Sequence, residues 1–320
     1  MTETSMPAAV PAATRLPALP LVGQHVVRQF DRRGDLEAAQ FLYGEIARRM
    51  LERLDYIRVD PAALLDAGCG AGAALPVLRE RYPAAHYTGV DLSPSLLDHA
   101  RRKFLPSAVA RMRQSVMGLV GRAGAATPEF READLAATGL PPEQFDMVWS
   151  NLALHWHAEP HHVLEEWRRI LKVGGLVMFS CLGPNTFKEL RDAVAQAGLD
   201  TATPPFVDMH DFGDLLIESG FADPVMDQEI LTLTYADPAS LLLDVRRLGG
   251  NPAAGRRRGL AGRAWRDRLA AALDAQRAPD GRIHLTLEVA YGHAWRAGSH
   301  KLATGETRLS VASIGRSVKR

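Results

Sequence analysis

Three glycines, Gly68, Gly70 and Gly72, stand within five positions, between the apolar run "ALLDA" and the helix-forming run "ALPVLRERY". Glycine lets a main chain take positive φ or approach another group closely. A glycine-rich turn between a strand and its helix therefore sets bare peptide groups against a ligand. Tight packing of the strand against its helix is the plainer reading of the same residues. The spacing is G-x-G-x-G, whereas a dinucleotide pyrophosphate site needs G-x-G-x-x-G, which speaks against a nicotinamide enzyme. Three carboxylates favour a ligand site. Asp66 stands two residues before Gly68. Asp91 ends the next apolar run, where an acid can hold two ribose hydroxyls. Asp134 follows a third run, "EFREADL", where a carboxylate beside a backbone amide can read an adenine edge.

Such residues work only if a scaffold brings them to one rim. From Gln24 to about Tyr56 the pattern is helical, with Phe41, Ile46, Met50 and Leu54 at helix-like intervals. "ALLDAG" reads as a buried strand, "HYTGVDLS" as a second, "EFREADL" as a third, "FDMVWSNLAL" as a fourth and "GLVMFSCL" as a fifth. Helices alternate with them: "ALPVLRERY", "PSLLDHARRKF" with Ser93 as N-cap, and "PHHVLEEWRRILK" ending at Gly174-Gly175. Residues 104–128 form a long connection with a helix expected over 107–120. This alternation predicts a parallel, doubly wound sheet. Two more helices, a strand over "PVMDQEILTLTY", a helical arginine-rich stretch over 238–280 and a final strand over "IHLTLEVAYGHAW" complete the chain. The expected divisions are a disordered tail over 1–22, an N-terminal helical cap over 23–60, a cofactor-binding core over 61–182, completion of the sheet with a helical substrate cap over 183–296, and a basic tail over 297–320.

Composition narrows the function classes. The chain has 320 residues, 47% of them hydrophobic, ample for a buried core. A net charge of +1 gives no global field to attract nucleic acid. Two cysteines in dissimilar settings fit a reducing compartment. No apolar run reaches membrane-spanning length, and the Ala/Pro-rich start lacks the layout of a secretory signal. A cytoplasmic monomer is expected.

Taken together, "LDAGCGAG", "GVDLSPSLLDHAR", "ADL" and "FDMVWSNLALHW" resemble the motifs of class I methyltransferases that use S-adenosyl-L-methionine (SAM). The resemblance implies an α/β, Rossmann-like fold, with a seven-stranded mixed sheet, helices on both faces and a helical insertion near the C-terminus. By it, Gly68, Gly70 and Gly72 pass beside the methionine part of SAM, Asp66 sits near its amino group, Asp91 with Leu92 takes the ribose, and Asp134 with Leu135 takes the adenine. Asn151 and Leu152 would line the methyl-donor end. The second half, "FSCLGPNTFKELRDAV", "FVDMHDFGDLLIESGFADPVMDQEILTLTY", "LLLDVRRLGG" and "EVAYGHAWR", resembles the malonyl-acyl-carrier-protein O-methyltransferases of biotin synthesis, the BioC family. That family esterifies the free carboxylate of a malonyl thioester, which implies malonyl-loaded acyl carrier protein as partner. The chain departs from the family pattern in having no tyrosine after "FDRRG" until Tyr43, and in its longer 104–128 connection. "YGEIARRMLERLDYI" and "LGPNTFKELR" also resemble a mitochondrial complex I assembly factor that hydroxylates a protein arginine. That reading, a partner-binding scaffold, and a methyltransferase of another small acid stay open.

A carboxylate is ionised at neutral pH and needs no general base to attack a methyl group, so no catalytic side chain is expected. His155, His157, His161 and His162 cluster in sequence, but no cysteine or carboxylate set at metal-ligand spacing is seen with them, and no metal is expected. His155 and Trp156 are candidates for the substrate pocket wall. By the family resemblance Arg246 is the candidate clamp for the substrate carboxylate, since a guanidinium fork fits a carboxylate; its plain alternative is a surface arginine. Arg256, Arg257, Arg258 and Arg263 read either as a solvated face or as a docking patch for an acidic carrier protein. Cys69 is read as a small packing residue.

Overall fold

The computed structural model describes residues 17–34, 36–105 and 126–298. Strand β1 (Ala63–Ala67) sends Leu64 to one face and Leu65 to the other. β4 (Phe145–Asn151) divides Met147 and Trp149 from Val148 in the same way, past an irregularity after Phe145, and β5 (Leu171–Leu182) divides Leu176 and Met178 from Val177 and Phe179. This two-residue period with apolar groups on both sides is that of strands buried between helix layers. With β2 (His86–Asp91), β3 (Glu129–Glu132), β6 (Phe221–Tyr235) and β7 (Ile283–Arg296) they form one sheet in the order β3-β2-β1-β4-β5-β7-β6. β1 to β5 pair in parallel; β7 runs antiparallel to both β5 and β6.

The helices are α1 (Gly23–Asp31), α2 (Gln40–Arg53), α3 (Leu75–Arg81), α4 (Pro94–Phe104), α5 (Pro160–Ile170), α6 (Lys188–Gln196), α7 (Met209–Glu218), α8 (Pro238–Arg247) and α9 (Arg263–Asp274). Ile46 and Met50 of α2, Leu97 of α4, Ala193 of α6 and Leu273 of α9 pack on one face of the sheet. Val163, Leu164 and Trp167 of α5 and Phe212 and Leu215 of α7 pack on the other. The α/β fold with a seven-stranded mixed sheet and helices on both faces is as expected. Ser93 caps α4: its Oγ accepts from Leu96 N at 3.3 Å.

Several expectations are corrected. The buried stripe of α2 and the turn after it is Leu42, Ile46, Met50 and Leu54, strict four-residue steps; Phe41 lies one residue off that stripe and is 50% exposed. The helix over "PHHVLEEWRRI" ends at Ile170, and the chain enters β5 directly at Leu171, because Leu171 pairs with Phe145. The 238–280 stretch is two helices, α8 and α9, separated by an irregular segment that holds Arg256, Arg257 and Arg258. Residues 17–22, expected within the loose tail, are tied down. Leu19 N donates to Ala158 O at 2.7 Å, Val22 N to Pro252 O at 3.1 Å, and Leu21 bridges Ala253. The expected disorder of 1–16, the helix over 107–120 and the basic tail beyond 298 lie outside the described residues. Among the described residues no helix is long and apolar enough to cross a membrane.

Candidate functional site

The strand order reverses between β1 and β4, so a crevice opens at their carboxyl ends, where parallel α/β sheets bind ligands. A solvent-open cavity of about 1010 Å³ lies there. Its floor is the turn after β1, and its rim carries Asp66, Asp91 and Asp134, which reach one edge because each stands at or just past the end of a parallel strand.

The glycines have separable reasons. Gly68, Gly70 and Gly72 have φ of +80°, +53° and +76°, a conformation costly for other residues. Gly68 lines the cavity, and a Cβ on it would lie 2.2 Å from Ala153 Cβ. Gly70 lines the cavity too, and its N–H donates to Asp91 Oδ2 at 2.9 Å. Gly72 does not belong to the cavity wall: a Cβ there would lie 2.9 Å from the Phe104 ring, so its absence of a side chain serves helix packing. Cys69 is buried and its thiol is pushed well up by burial, which leaves no thiolate.

Asp91 is the brace of the site. Its Oδ1 accepts from Ser93 N at 2.8 Å while Oδ2 takes Gly70 N, so two backbone donors fix the carboxylate plane and each oxygen keeps capacity for one more donor. Burial raises its pKa, opposed by those N–H bonds. Asp66 is almost fully buried and accepts from Tyr87 Oη at 2.6 Å; burial pushes its carboxyl up to about 7. Asp134 Oδ1 accepts from Ala136 N at 2.8 Å and lies 3.2 Å from His157 Nε2, the contact that chiefly holds its carboxyl below the ordinary value. Leu92 and Leu135 give the rim apolar surface. Asn151 lines the cavity with its amide tied on both sides, Nδ2 donating to Tyr43 O at 2.9 Å and Oδ1 accepting from Ser180 Oγ at 2.9 Å. Leu152 beside it has φ +52° and is held by its N–H donating to Ser180.

The roof comes from distant parts of the chain. α1 contributes Val26, Val27 and Phe30; Trp156 meets the Phe30 ring edge-on at 5.7 Å. Tyr43 closes the wall, its Oη donating to Leu248 O at 3.0 Å; burial pushes its phenol up to about 12. Gly249 follows because a Cβ there would lie 2.0 Å from Trp156. Ser93 Oγ donates to Asp31, which ties the end of α1 to the Asp91 loop.

Other candidates are placed elsewhere. His155 is buried behind the wall rather than on it; burial lowers its pKa to about 3, and its Nδ1 accepts from Leu182 N at 3.4 Å. Arg246 is exposed on α8 and is not part of the cavity wall, because that helix turns its buried Leu241 inward and Arg246 outward. Arg257, Arg258 and Arg263 are exposed. Arg256 is half-buried, and its Nε donates to His25 Nδ1 at 3.3 Å, which joins the arginine segment to α1 beside the roof. A carboxylate does accompany the histidines: Glu159, His161 and His162 bring ligand atoms within 4.8 Å of one another at the start of α5. The sequence reading missed Phe30, Leu36, Gln40 and His157 as wall residues. His157 had a signal, five residues past Leu152 and beside Trp156; the others belong to segments whose approach to the sheet edge no local pattern encodes.

A polar ligand with an apolar ring, a vicinal diol and a cationic amine matches this wall. A family model described as a methyltransferase domain matches residues 65–179. The malonyl-acyl-carrier-protein O-methyltransferase of Laribacter hongkongensis is 46% identical over 271 residues, covering 83% of this chain and 87% of that protein. The protein of that name from Nitrosospira multiformis is 39% identical, covering 90% and 94%, and the one from Halorhodospira halophila is 40% identical, covering 91% and 95%. Among solved structures, the YcgJ protein of Bacillus subtilis matches with a TM-score of 0.53 at 13% identity, over 80% of this chain and 100% of that one. Phosphoethanolamine N-methyltransferase 2 of Haemonchus contortus, solved with SAM, matches with a TM-score of 0.52 at 16% identity, over 85% and 60%. These two likenesses speak for the fold.

Proposed function

The chain belongs to the malonyl-acyl-carrier-protein O-methyltransferase family, and from that premise we propose that it transfers the methyl group of SAM to the free carboxylate of a malonyl thioester on acyl carrier protein, a cytoplasmic step of biotin synthesis. The observation that carries the reading is Asp91 at the switch-point cavity: a carboxylate braced by Gly70 N and Ser93 N, with one acceptor position per oxygen left for two neighbouring hydroxyls.

The residues present fit SAM. Asp91 would hold the ribose hydroxyls, Leu92 and Leu135 the adenine ring with Asp134 at its amine, Gly68 and Gly70 the methionine part, and Asp66 the amino group. Bound there, the cofactor supplies an electrophilic methyl group on a sulfonium.

A malonyl carboxylate is already a nucleophile at neutral pH, so the chain's work is alignment and the exclusion of water. The roof does the excluding, through the Phe30–Trp156 contact and the Tyr43–Leu248 bond. Asn151 and Leu152 fix the near wall, and the Asn151 bond to Tyr43 O couples it to the roof. His155, held neutral by burial, backs Trp156, their rings 4.6 Å apart, and takes no proton from substrate. Arg256, Arg257, Arg258 and Arg263 form the docking side for the acidic carrier. Their charge reaches the roof at His25, whose pKa burial lowers, with Arg256, Arg28 and Arg258 adding to the effect. Such a patch steers encounter more than it adds affinity.

The direct test incubates the protein with methyl-labelled SAM and malonyl-acyl carrier protein and reads the acyl group by mass spectrometry. A methyl ester on the malonyl group is expected. Label found on another acceptor, with malonyl unchanged, would refute the reading.

A further inference from the structure

Asp134 carries its carboxylate differently from Asp91. Both groups that serve it meet one oxygen: Oδ1 accepts from Ala136 N at 2.8 Å and lies 3.2 Å from His157 Nε2. Oδ2 accepts from no described residue. Asp134 and His157 both line the cavity, and their side chains are 43% and 21% exposed, so a ligand seated there reaches them. We infer that His157 is a positioning residue for cofactor recognition: it fixes Asp134 so that Oδ2 meets the exocyclic amine of the adenine, and the protein thereby selects a 6-amino purine over a 6-oxo purine. This rests on the SAM-binding reading above.

The ring has its proton on the nitrogen that the role requires. A neutral imidazole has one donor and one acceptor. Glu159 N donates to His157 Nδ1 at 3.0 Å, so Nδ1 is the acceptor and the proton stands on Nε2, which donates to Asp134 Oδ1. The main chain beneath the ring is held as well: His157 N donates to Leu154 O at 3.1 Å, and the next residue accepts at Ala158 O from Leu19 N at 2.7 Å. His157 follows β4 and Asp134 follows β3, strands that β2 and β1 separate in the sheet, so the contact ties together the loops of two strands that do not touch. Ala136 N belongs to the same tight turn as Asp134 and by itself leaves the carboxylate free to exchange its oxygens by rotation about χ2. His157 removes that freedom. It is also the chief reason that the Asp134 carboxyl lies below its ordinary value, and no arginine or lysine among the described residues pairs with it. Asp134 is therefore an ionised group that only accepts. An amine at C6 of the purine gives Oδ2 a donor, whereas an oxo group there sets a second acceptor against a negative charge.

The test measures calorimetric binding of S-adenosylhomocysteine and of S-inosylhomocysteine, its 6-oxo counterpart, to the wild type, His157→Asn, His157→Phe and His157→Gln. Asn keeps an acceptor for Glu159 N but does not reach Asp134; Phe keeps the ring without a donor; Gln keeps an N–H near the position of Nε2. The wild type is expected to prefer the adenosyl ligand by about tenfold or more. His157→Asn and His157→Phe should each weaken adenosyl binding roughly 5- to 10-fold, the size of one hydrogen bond, and leave inosyl binding within about twofold, so that the preference shrinks. His157→Gln should restore most of it. An equal loss of both ligands, or a preference unchanged in His157→Asn, overturns the inference and marks a merely structural role. A wild type that binds the two ligands alike overturns it too, while leaving methyl transfer standing. A wild type that binds neither overturns the cofactor reading, and the inference with it.

Discussion

The floor and the roof of the cavity are built on different terms. The floor, from Asp66 through Ser93, is made by two adjacent strands and the turns that leave them, and its key bonds stay within that one stretch, Ser93 N to Asp91 across 2 positions and Gly70 N to Asp91 across 21. The roof joins Tyr43 to Leu248 and Leu21 to Ala253, segments about 200 residues apart. A floor of main-chain donors and left-handed glycines suits a cofactor that never varies. A roof of side chains from remote segments can be changed piece by piece, which suits the part that selects an acyl group and its carrier.

The largest expected effect tests the floor. Asp91→Ala removes the acceptor for two backbone N–H groups and for the hydroxyls, and should weaken S-adenosylhomocysteine binding by about 100-fold or more in calorimetry. A loss under threefold would break the division, since the floor would then not depend on its brace. Next comes pH. Asp66 titrates at about 7 in the free protein because burial disfavours its charge, and a cationic amine beside it favours the ionised form. The pKa is therefore lower in the complex than in the free protein, and binding releases a proton. Affinity for S-adenosylhomocysteine should hold above pH 7 and fall toward about tenfold per unit below it. Asp66→Asn should flatten that profile, whereas roof substitutions should leave its shape alone.

The roof's outer side has a smaller signature. Replacing Arg256, Arg257 and Arg258 by Glu should raise KM for malonyl-acyl carrier protein about tenfold at low salt, with the gap closing as salt is added. The malonyl thioester of N-acetylcysteamine, which lacks the acidic carrier, should be used equally well by both proteins. The smallest effect belongs to Arg246→Ala, exposed and off the wall, which should keep KM within about twofold, as for surface substitutions away from a site.

Much of the floor was legible before any coordinates. The strand–turn–helix rhythm around Gly68, the acids Asp66, Asp91 and Asp134, and the N-cap Ser93 all follow from residue types at short spacing. Gly72 shows the limit even there: its spacing marks a special backbone but not whether a ligand or the Phe104 ring fills the space beside it. In the roof the placements that local pattern did not give share one cause. Arg246 was named by the family resemblance, yet the facing of α8 is fixed by where Leu241 packs, and that leaves Arg246 exposed and off the cavity wall. Tyr43 stood at an unfamiliar place in sequence, yet it reaches the wall because the α2 stripe of Leu42, Ile46, Met50 and Leu54 seats the helix on the sheet.

By itself the sequence determined the layers and the strand ends that carry acids, since alternation and turn chemistry are local properties. Only the tertiary structure decided which of the three glycines face the cavity, and that residues 17–22 close onto the 252–254 segment. Those outcomes depend on burial and on contacts between distant segments, and no single stretch of chain contains them.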